Sequence, residues 1–131
     1  MTAALHPIGE PLLVTAGRES GQAARRTVRE RAAKVLADAE ALDDVELMAA
    51  EAIANAVLHG SGLIRVAVRG GDRRVRVEVR DGGPTPREEG AHHRLDHGRG
   101  LAVIDALAAE WGLEQSPDET NLWFTVEAPA P

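Results

Sequence analysis

The hydrophobic pattern predicts two helices in the first half of the chain. Across residues 20–39, apolar side chains recur every fourth position and form one stripe along a helix. Residues 46–60 are rich in Ala, Leu, Met and Glu, which are good helix formers. Asp43 or Asp44 can cap the start of this second helix, and Gly60 is placed to end it in a left-handed conformation. The predicted buried stripe of the second helix consists of Val45, Met48, Ala52 and Val57.

Strand-like alternation follows the second helix. Residues 63–69 and 74–80 alternate between apolar and charged side chains, and the residues between them, GGDR, are typical of a hairpin turn. An antiparallel sheet with one covered face and one solvated face produces this pattern. Together with the helices, it indicates an α/β or α+β sandwich. Further strands are predicted at 11–16, 113–116 and 121–126, a third helix at 101–111, and irregular structure at 1–9.

Composition narrows the class of protein. A chain of 131 residues suits one domain with its own core. The net charge of −6 argues against nucleic-acid binding driven by phosphate attraction, and the absence of cysteine excludes disulfides and thiolate chemistry. No apolar run is long enough to cross a bilayer, and the first ten residues lack the features of a secretory signal. We therefore expect a soluble cytoplasmic protein with no membrane partner.

The second predicted helix carries candidate chemistry on a polar face. Glu51, Asn55 and His59 stand at positions i, i+4 and i+8, so they share one side of the helix. A carboxylate and a carboxamide one turn apart can bind a hydrated cation or orient a nucleophile. Taken alone, the triplet is better explained as a solvated polar face.

Two glycine-containing segments add to this picture. Asp81 ends the strand at 74–80 and is followed by two glycines, which let another molecule approach the backbone. Residues 84–97 are polar, have no hydrophobic period and are long enough for a lid or a binding loop. They lead to a short glycine segment that opens the third helix, where free N–H groups can bind phosphate. An ordinary Asp-Gly turn and an unliganded helix start are the alternatives.

In this order, the three motifs resemble the GHKL ATPase superfamily. The closer similarity is to the small bacterial anti-sigma factor serine kinases of the HATPase_c_2 branch, in which the N box reads E-x-x-x-N-A-x-x-H-G. Residues 51–60, EAIANAVLHG, match this box in full. The resemblance covers residues 10–127 of a single domain spanning 1–131. It implies the Bergerat fold, an α+β two-layer sandwich whose mixed, mostly antiparallel sheet is covered on one face by about three helices.

The resemblance also implies a role for each motif residue. Glu51 would be the general base, Asn55 would bind Mg²⁺ beside the ATP phosphates, and Asp81 would accept a hydrogen bond from the adenine amino group. Gly83 would let the base lie close to the backbone. The second glycine box would close against the phosphates, with residues 84–97 as the ATP lid. That box consists of Gly98, Arg99, Gly100 and Leu101.

The function implied by the resemblance is an ATP-dependent serine kinase that also sequesters a sigma factor. Its substrate would be a STAS-type anti-anti-sigma protein, and self-association is expected because related kinases are often homodimers. The first glycine box is commonly D-x-G-x-G in the superfamily, whereas residues 81–85 read DGGPT. This departure leaves open a second function, a nucleotide-dependent protein-binding module without kinase activity. A fragment of a sensor histidine kinase is disfavoured because no phosphoacceptor histidine segment precedes the N box.

Overall fold

The computed structural model describes residues 4–15, 17–84 and 101–129. Among these residues lie six strands and three helices, which confirms the predicted α+β class. In chain order they are β1 (His6–Pro7), β2 (Leu12–Val14), α1 (Arg18–Ala32), α2 (Ala39–His59), β3 (Ile64–Gly71), β4 (Arg74–Asp81), α3 (Leu101–Leu107), β5 (Glu110–Gln115) and β6 (Thr120–Glu127).

The strands form one sheet in the order β1-β3-β4-β6-β5, and β2 pairs with β3 beside β1. Every pairing between these described strands is antiparallel, whereas a mixed, mostly antiparallel sheet was expected. Val77 of β4 lies between Val68 of β3 and Phe124 of β6. Because alternate side chains share one face of a sheet, this register places a continuous apolar row against the helices.

The helices cover this apolar face, with α2 in the centre. Val45, Met48 and Ala52 of α2 are fully buried, as the sequence predicts, and α2 contacts β4, β6, α1 and α3. Val57 does not join them and is 38% exposed. Twelve residues at about 100° per residue rotate its side chain by about 120° from that of Val45, which takes it off the buried stripe. None of the described helices combines the length and apolar content needed to cross a bilayer.

The starts and ends of α1 and α2 differ from the prediction. Helix α1 ends at Ala32, seven residues earlier than expected, and α2 begins at Ala39. The cap of α2 is Asp38, whose Oδ2 accepts a hydrogen bond from the Ala41 N–H at 3.0 Å. Asp43 instead accepts a hydrogen bond from Arg29 of α1 at 2.7 Å, because it lies inside the helix and faces its neighbour.

Strands also form in two segments for which other structure was predicted, the end of the third helix and residues 1–9. The third helix ends at Leu107, and Trp111 lies in β5 opposite Phe124. Its indole N–H donates to Asp105 at 2.9 Å. The apolar spacing of this segment fits either structure, and the exposed edge of β6 provides a pairing partner that decides for a strand. Likewise, β1 forms within residues expected to be irregular because β3 offers its free edge.

The β3–β4 hairpin turns at Asp72 and Arg73. Both residues have positive φ values, 50° and 60°, as a two-residue type I′ turn requires. The two preceding glycines belong to β3, and Gly71 is the partner of Arg74. The turn is thus two residues long, and both residues adopt left-handed backbone conformations that cost free energy for any residue other than glycine.

Candidate functional site

The second half of α2 places a buried amide beside acidic and basic neighbours. Asn55 is only 5% exposed, and its Oδ1 has no hydrogen-bond partner among the described residues. Glu51 and His59, one turn before and after it, are half-buried. A buried acceptor without a partner costs about 1–3 kcal/mol, and a ligand that binds this oxygen would remove that cost. An amide oxygen is also a suitable ligand for a hard cation such as Mg²⁺.

Asp81 stands at the end of β4, on the same face of the sheet as the buried valines of that strand. It is 7% exposed, and its Oδ1 accepts a hydrogen bond from the Gly83 N–H at 2.8 Å. Gly83 has a φ of +101°, and a Cβ atom at this position would lie 2.5 Å from the carbonyl oxygen of Pro117. Only glycine can therefore make this turn, which holds the carboxylate in one orientation.

The end of α2 and the end of β4 are joined directly. The Gly82 N–H donates to the Ser61 carbonyl at 2.6 Å, and the Ser61 hydroxyl donates to the Gly83 carbonyl at 2.9 Å. Gly60 pairs with Pro84 in an isolated antiparallel bridge. These contacts bring the helix bearing Asn55 and the turn bearing Asp81 into one local structure.

Gly60 has a different role from the one predicted. Its φ and ψ are −92° and −175°, so it is extended and does not form a left-handed cap. A Cβ atom at Gly60 would lie 2.4 Å from Cγ of Asp81. Glycine is required here because the carboxylate lies against the backbone.

Thr120 is a neighbour of the site that the sequence analysis does not single out. It is the cross-strand partner of Asp81, is 3% exposed, and accepts a hydrogen bond from the Gln115 side chain at 3.1 Å. The alternation of β6 places Thr120 on the same face as Leu122. Its place beside Asp81 follows from the β4–β6 register, which could not be predicted from the sequence.

The described residues include only part of the predicted site. Leu101 begins α3, and its side chain is buried in the core, where α3 contacts α2. Two predicted parts of the site lie outside the described residues. They are residues 85–97 of the predicted lid and the first three residues of the second glycine box, Gly98, Arg99 and Gly100. The structure thus brings Asn55, Asp81 and Gly83 to neighbouring elements, and of the second glycine box it describes only Leu101.

An antiparallel sheet covered on one face by helices, with an asparagine-bearing central helix joined to an Asp-Gly-Gly turn, defines a GHKL-type ATPase fold. A model of the histidine kinase-like ATPase domain family, HATPase_c_2, matches residues 14–126, and the chain belongs to this family. The predicted resemblance is therefore confirmed, and membership indicates a protein that binds ATP.

Among solved structures, the chain is similar to the RsbU and RsbW domains of Rv1364c from Mycobacterium tuberculosis. The two share 28% sequence identity with a TM-score of 0.68. The match covers 93% of this chain and 34% of the other, so this chain spans about a third of that protein's crystallised length. A search of curated proteins gives no match.

Proposed function

We propose that this chain is an ATP-binding anti-sigma factor with serine kinase activity toward a STAS-type anti-anti-sigma protein. Residues 1–131 would form a single domain that acts in the cytoplasm, where a sigma factor would be its second partner. Family membership and the similarity to a structure containing an RsbW domain support this proposal. The observation that carries it is the buried Oδ1 of Asn55, which has no hydrogen-bond partner in the part of the chain that the structure describes.

Asn55 would hold Mg²⁺ through this oxygen. When bound, ATP would supply the transferable phosphoryl group, and Mg²⁺ would neutralise part of its negative charge. Mg²⁺ keeps several waters and commonly takes one or two protein ligands, so a single amide oxygen is sufficient beside phosphates. Burial keeps the Asn55 side chain in one orientation before any ligand arrives, which lowers the entropy cost of binding.

Glu51 would be the general base for the substrate serine. It precedes Asn55 by one helical turn, so its carboxylate projects from the same side of α2. From there it would accept the hydroxyl proton as the serine oxygen attacks. Its partial exposure leaves it accessible to a second protein, which a protein kinase requires.

Asp81 and Gly83 would bind adenine. The Gly83 N–H occupies one carboxylate oxygen of Asp81 and fixes the plane of the group, and adenine would donate its amino hydrogen to the same carboxylate. Gly83 would let the base lie close to the backbone. The phosphates would be enclosed by the second glycine box of Gly98, Arg99, Gly100 and Leu101.

The decisive experiment is transfer of labelled phosphate. The purified chain, Mg²⁺ and γ-labelled ATP are incubated with STAS proteins and, separately, with the same proteins carrying alanine at candidate serines. We expect label on the STAS protein, and no label once the acceptor serine is replaced. If ATP binds and changes the affinity for a sigma factor or STAS protein while no label is transferred, the chain is a nucleotide-dependent binding module. Absence of ATP binding would contradict both functions.

A further inference from the structure

The sheet face opposite the helices carries an excess of positive charge. We use the name open sheet face for the part of it formed by the outward side chains of residues 65–69 of β3 and the paired residues 76–80 of β4. These are Arg65, Ala67, Arg69, Arg76, Glu78 and Arg80. Four arginines and one glutamate give this face a net charge of about +3 by formal count, in a chain whose total formal charge is −6. The open sheet face is thus opposite in sign to the molecule as a whole.

The arginines on this face are placed directly opposite one another. Arg65 pairs with Arg80 and Arg69 with Arg76 in the β3–β4 register. Like charges in cross-strand positions repel, and each such pair destabilises a sheet. Glu78 offsets this repulsion only for the arginines of β4, because its carboxylate lies 3.5 Å from Arg76 and 3.4 Å from Arg80.

The β3 side of the face has no comparable compensation. Neither Arg65 nor Arg69 forms an ion pair with a described residue, and Arg69 donates only to the Leu5 carbonyl at 3.2 Å. Both side chains are exposed. An external anion would therefore relieve a repulsion that exists within the fold itself.

A groove runs beside these two arginines. The N-terminal strands β1 and β2 both pair with β3, at the edge of the sheet. The backbone that connects them leaves the sheet at Gly9, whose φ is +78°. The gap forms a groove of about 510 Å³. Its apolar lining includes Pro7, Pro11 and Ala67. Its charged lining consists of three arginines and two glutamates, a formal excess of one positive charge: Arg65, Arg69, Arg80, Glu10 and Glu78.

We propose that this groove binds an acidic, extended segment of a partner protein. Carboxylates of the segment would pair with Arg65 and Arg69, and an intervening apolar side chain would contact Pro7, Pro11 and Ala67. A second copy of the chain is a poor occupant, because a two-fold contact would place the same arginines against each other. The groove lies on the opposite face of the sheet from Asp81, so this proposal does not depend on the proposed kinase function.

The test uses the whole chain and a labelled peptide with glutamate and leucine at alternate residues of one face and serine at every position between them, so that an extended conformation presents both to the groove. A peptide with glutamine in place of glutamate is its neutral match. The variant carries Arg65→Glu and Arg69→Glu. A control carries Arg18→Glu and Arg26→Glu, the same charge change at exposed positions of α1. We expect the wild type and the control to bind the glutamate peptide, and the groove variant to bind it at least about tenfold more weakly. The glutamine peptide should bind no more strongly to the wild type than to the groove variant.

Three results would overturn the proposal. Equal loss of binding in the groove variant and the control would mean attraction to overall charge. Competition by sulfate as effective as that of unlabelled glutamate peptide, at matched ionic strength, would mean a general anion site. A wild type that sediments as a dimer while the groove variant sediments as a monomer would mean that a second copy covers the groove. If the groove variant is unfolded by circular dichroism, Arg65→Gln with Arg69→Gln replaces it, with a smaller loss expected.

Discussion

Gly60 lies against the side chain of Asp81, so that a Cβ atom on Gly60 would be 2.4 Å from the Asp81 Cγ and from its Oδ2. The two residues are 21 positions apart in the sequence (81 − 60) and belong to the ends of α2 and β4. The glycine that closes the N box is therefore part of the environment of the aspartate in the next motif. This contact links the two halves of the candidate site through packing alone.

Replacing Gly60 with alanine should destabilise the protein and impair the site. The backbone angles at Gly60 are accessible to alanine, so the expected cost arises from the overlap with Asp81 and not from strain. Overpacking of this kind typically costs about 1–3 kcal/mol. Urea denaturation of Gly60→Ala should show this loss, whereas Gly17→Ala, where a Cβ atom meets nothing within 4 Å, should lose much less.

A double mutant identifies the overlap as the cause. Asp81→Ala removes the three side-chain atoms that a Cβ at Gly60 would meet. Gly60→Ala should therefore cost far less in an Asp81→Ala background than in the wild type. If its cost is the same in both backgrounds, the destabilisation does not come from contact with Asp81.

Mg-ATP should raise the melting temperature of the wild type, because a ligand that binds only the folded state stabilises it. Asp81→Asn should weaken ATP binding by roughly 1.5–3 kcal/mol, the value of a charge-assisted hydrogen bond. The asparagine can still accept the Gly83 N–H, so the turn should be retained. Calorimetric titration of the wild type and of Asp81→Asn with Mg-ATP measures the change in affinity. Unchanged melting of the wild type in millimolar Mg-ATP would contradict nucleotide binding.

Glu51→Gln and Asn55→Ala should separate catalysis from binding. Glu51→Gln keeps the shape of the side chain and removes the base, so ATP affinity should stay near wild type while phosphotransfer falls by about 10² to 10⁴. Asn55→Ala removes the buried oxygen and should lose Mg-ATP binding itself. Filter binding and transfer of labelled phosphate, measured on both variants, give the comparison. A Glu51→Gln variant that transfers phosphate at the wild-type rate would rule out Glu51 as the base.

Glu78 should make stability depend on acid pH. Burial of its carboxyl acts to raise the pKa, but the hydrogen bond from Asn121 and the charges of Arg76 and Arg80 outweigh it, so the pKa lies below its ordinary value of 4.5. A carboxyl with a lowered folded-state pKa stabilises the fold above the unfolded-state pKa, and this contribution is lost as pH falls through the folded-state value.

The wild type should therefore exceed Glu78→Gln in free energy of unfolding near pH 7, and the difference should shrink as the pH drops to about 3. Carboxyls elsewhere titrate in both proteins and largely cancel in the difference. Urea denaturation at the two pH values is the measurement. A difference that stays constant would mean that the charge of Glu78 contributes nothing.

Arg73→Gly should stabilise the β3–β4 hairpin. Arg73 has a φ of +60°, which glycine adopts freely and a side chain adopts at a cost of about 1 kcal/mol. Its carbonyl accepts from the Ala128 N–H, a contact that the substitution retains. We expect a melting temperature a few degrees higher. Arg26→Gly, an equal loss of charge at an exposed position within α1, should lower it because glycine weakens a helix interior.

The sequence was sufficient for most of the fold because its periodic segments are long. The alternation of β3 and β4 predicted both the strands and their buried face, and the apolar spacing of α2 predicted three of the residues that it buries. Predictions failed where the signal was local and ambiguous. Trp111 fits the end of a helix as well as a strand, and only the edge of β6 decides between them.

The candidate site was predictable one motif at a time but not as an arrangement. Asn55 and Asp81 follow from their motifs, whereas the contact of Gly60 with Asp81 depends on how the helix end packs on the strand end. Thr120 illustrates the same limit, since its neighbour Asp81 is set by the β4–β6 register. The lack of a partner for Asn55 Oδ1 within residues 4–15, 17–84 and 101–129 is also a property of packing, and no sequence pattern reports it.

The position of β6 has a consequence for how the protein is made in the cell. It is the last of the described strands in chain order, yet it lies inside the sheet between β4 and β5. A ribosome therefore releases both long helices and β1 to β4 before the strand that pairs with β4 exists. During that interval one edge of β4 has free backbone groups, and Val77 lacks its neighbour Phe124. A nascent chain stopped before Thr120 would expose this unpaired strand edge to chaperones and proteases.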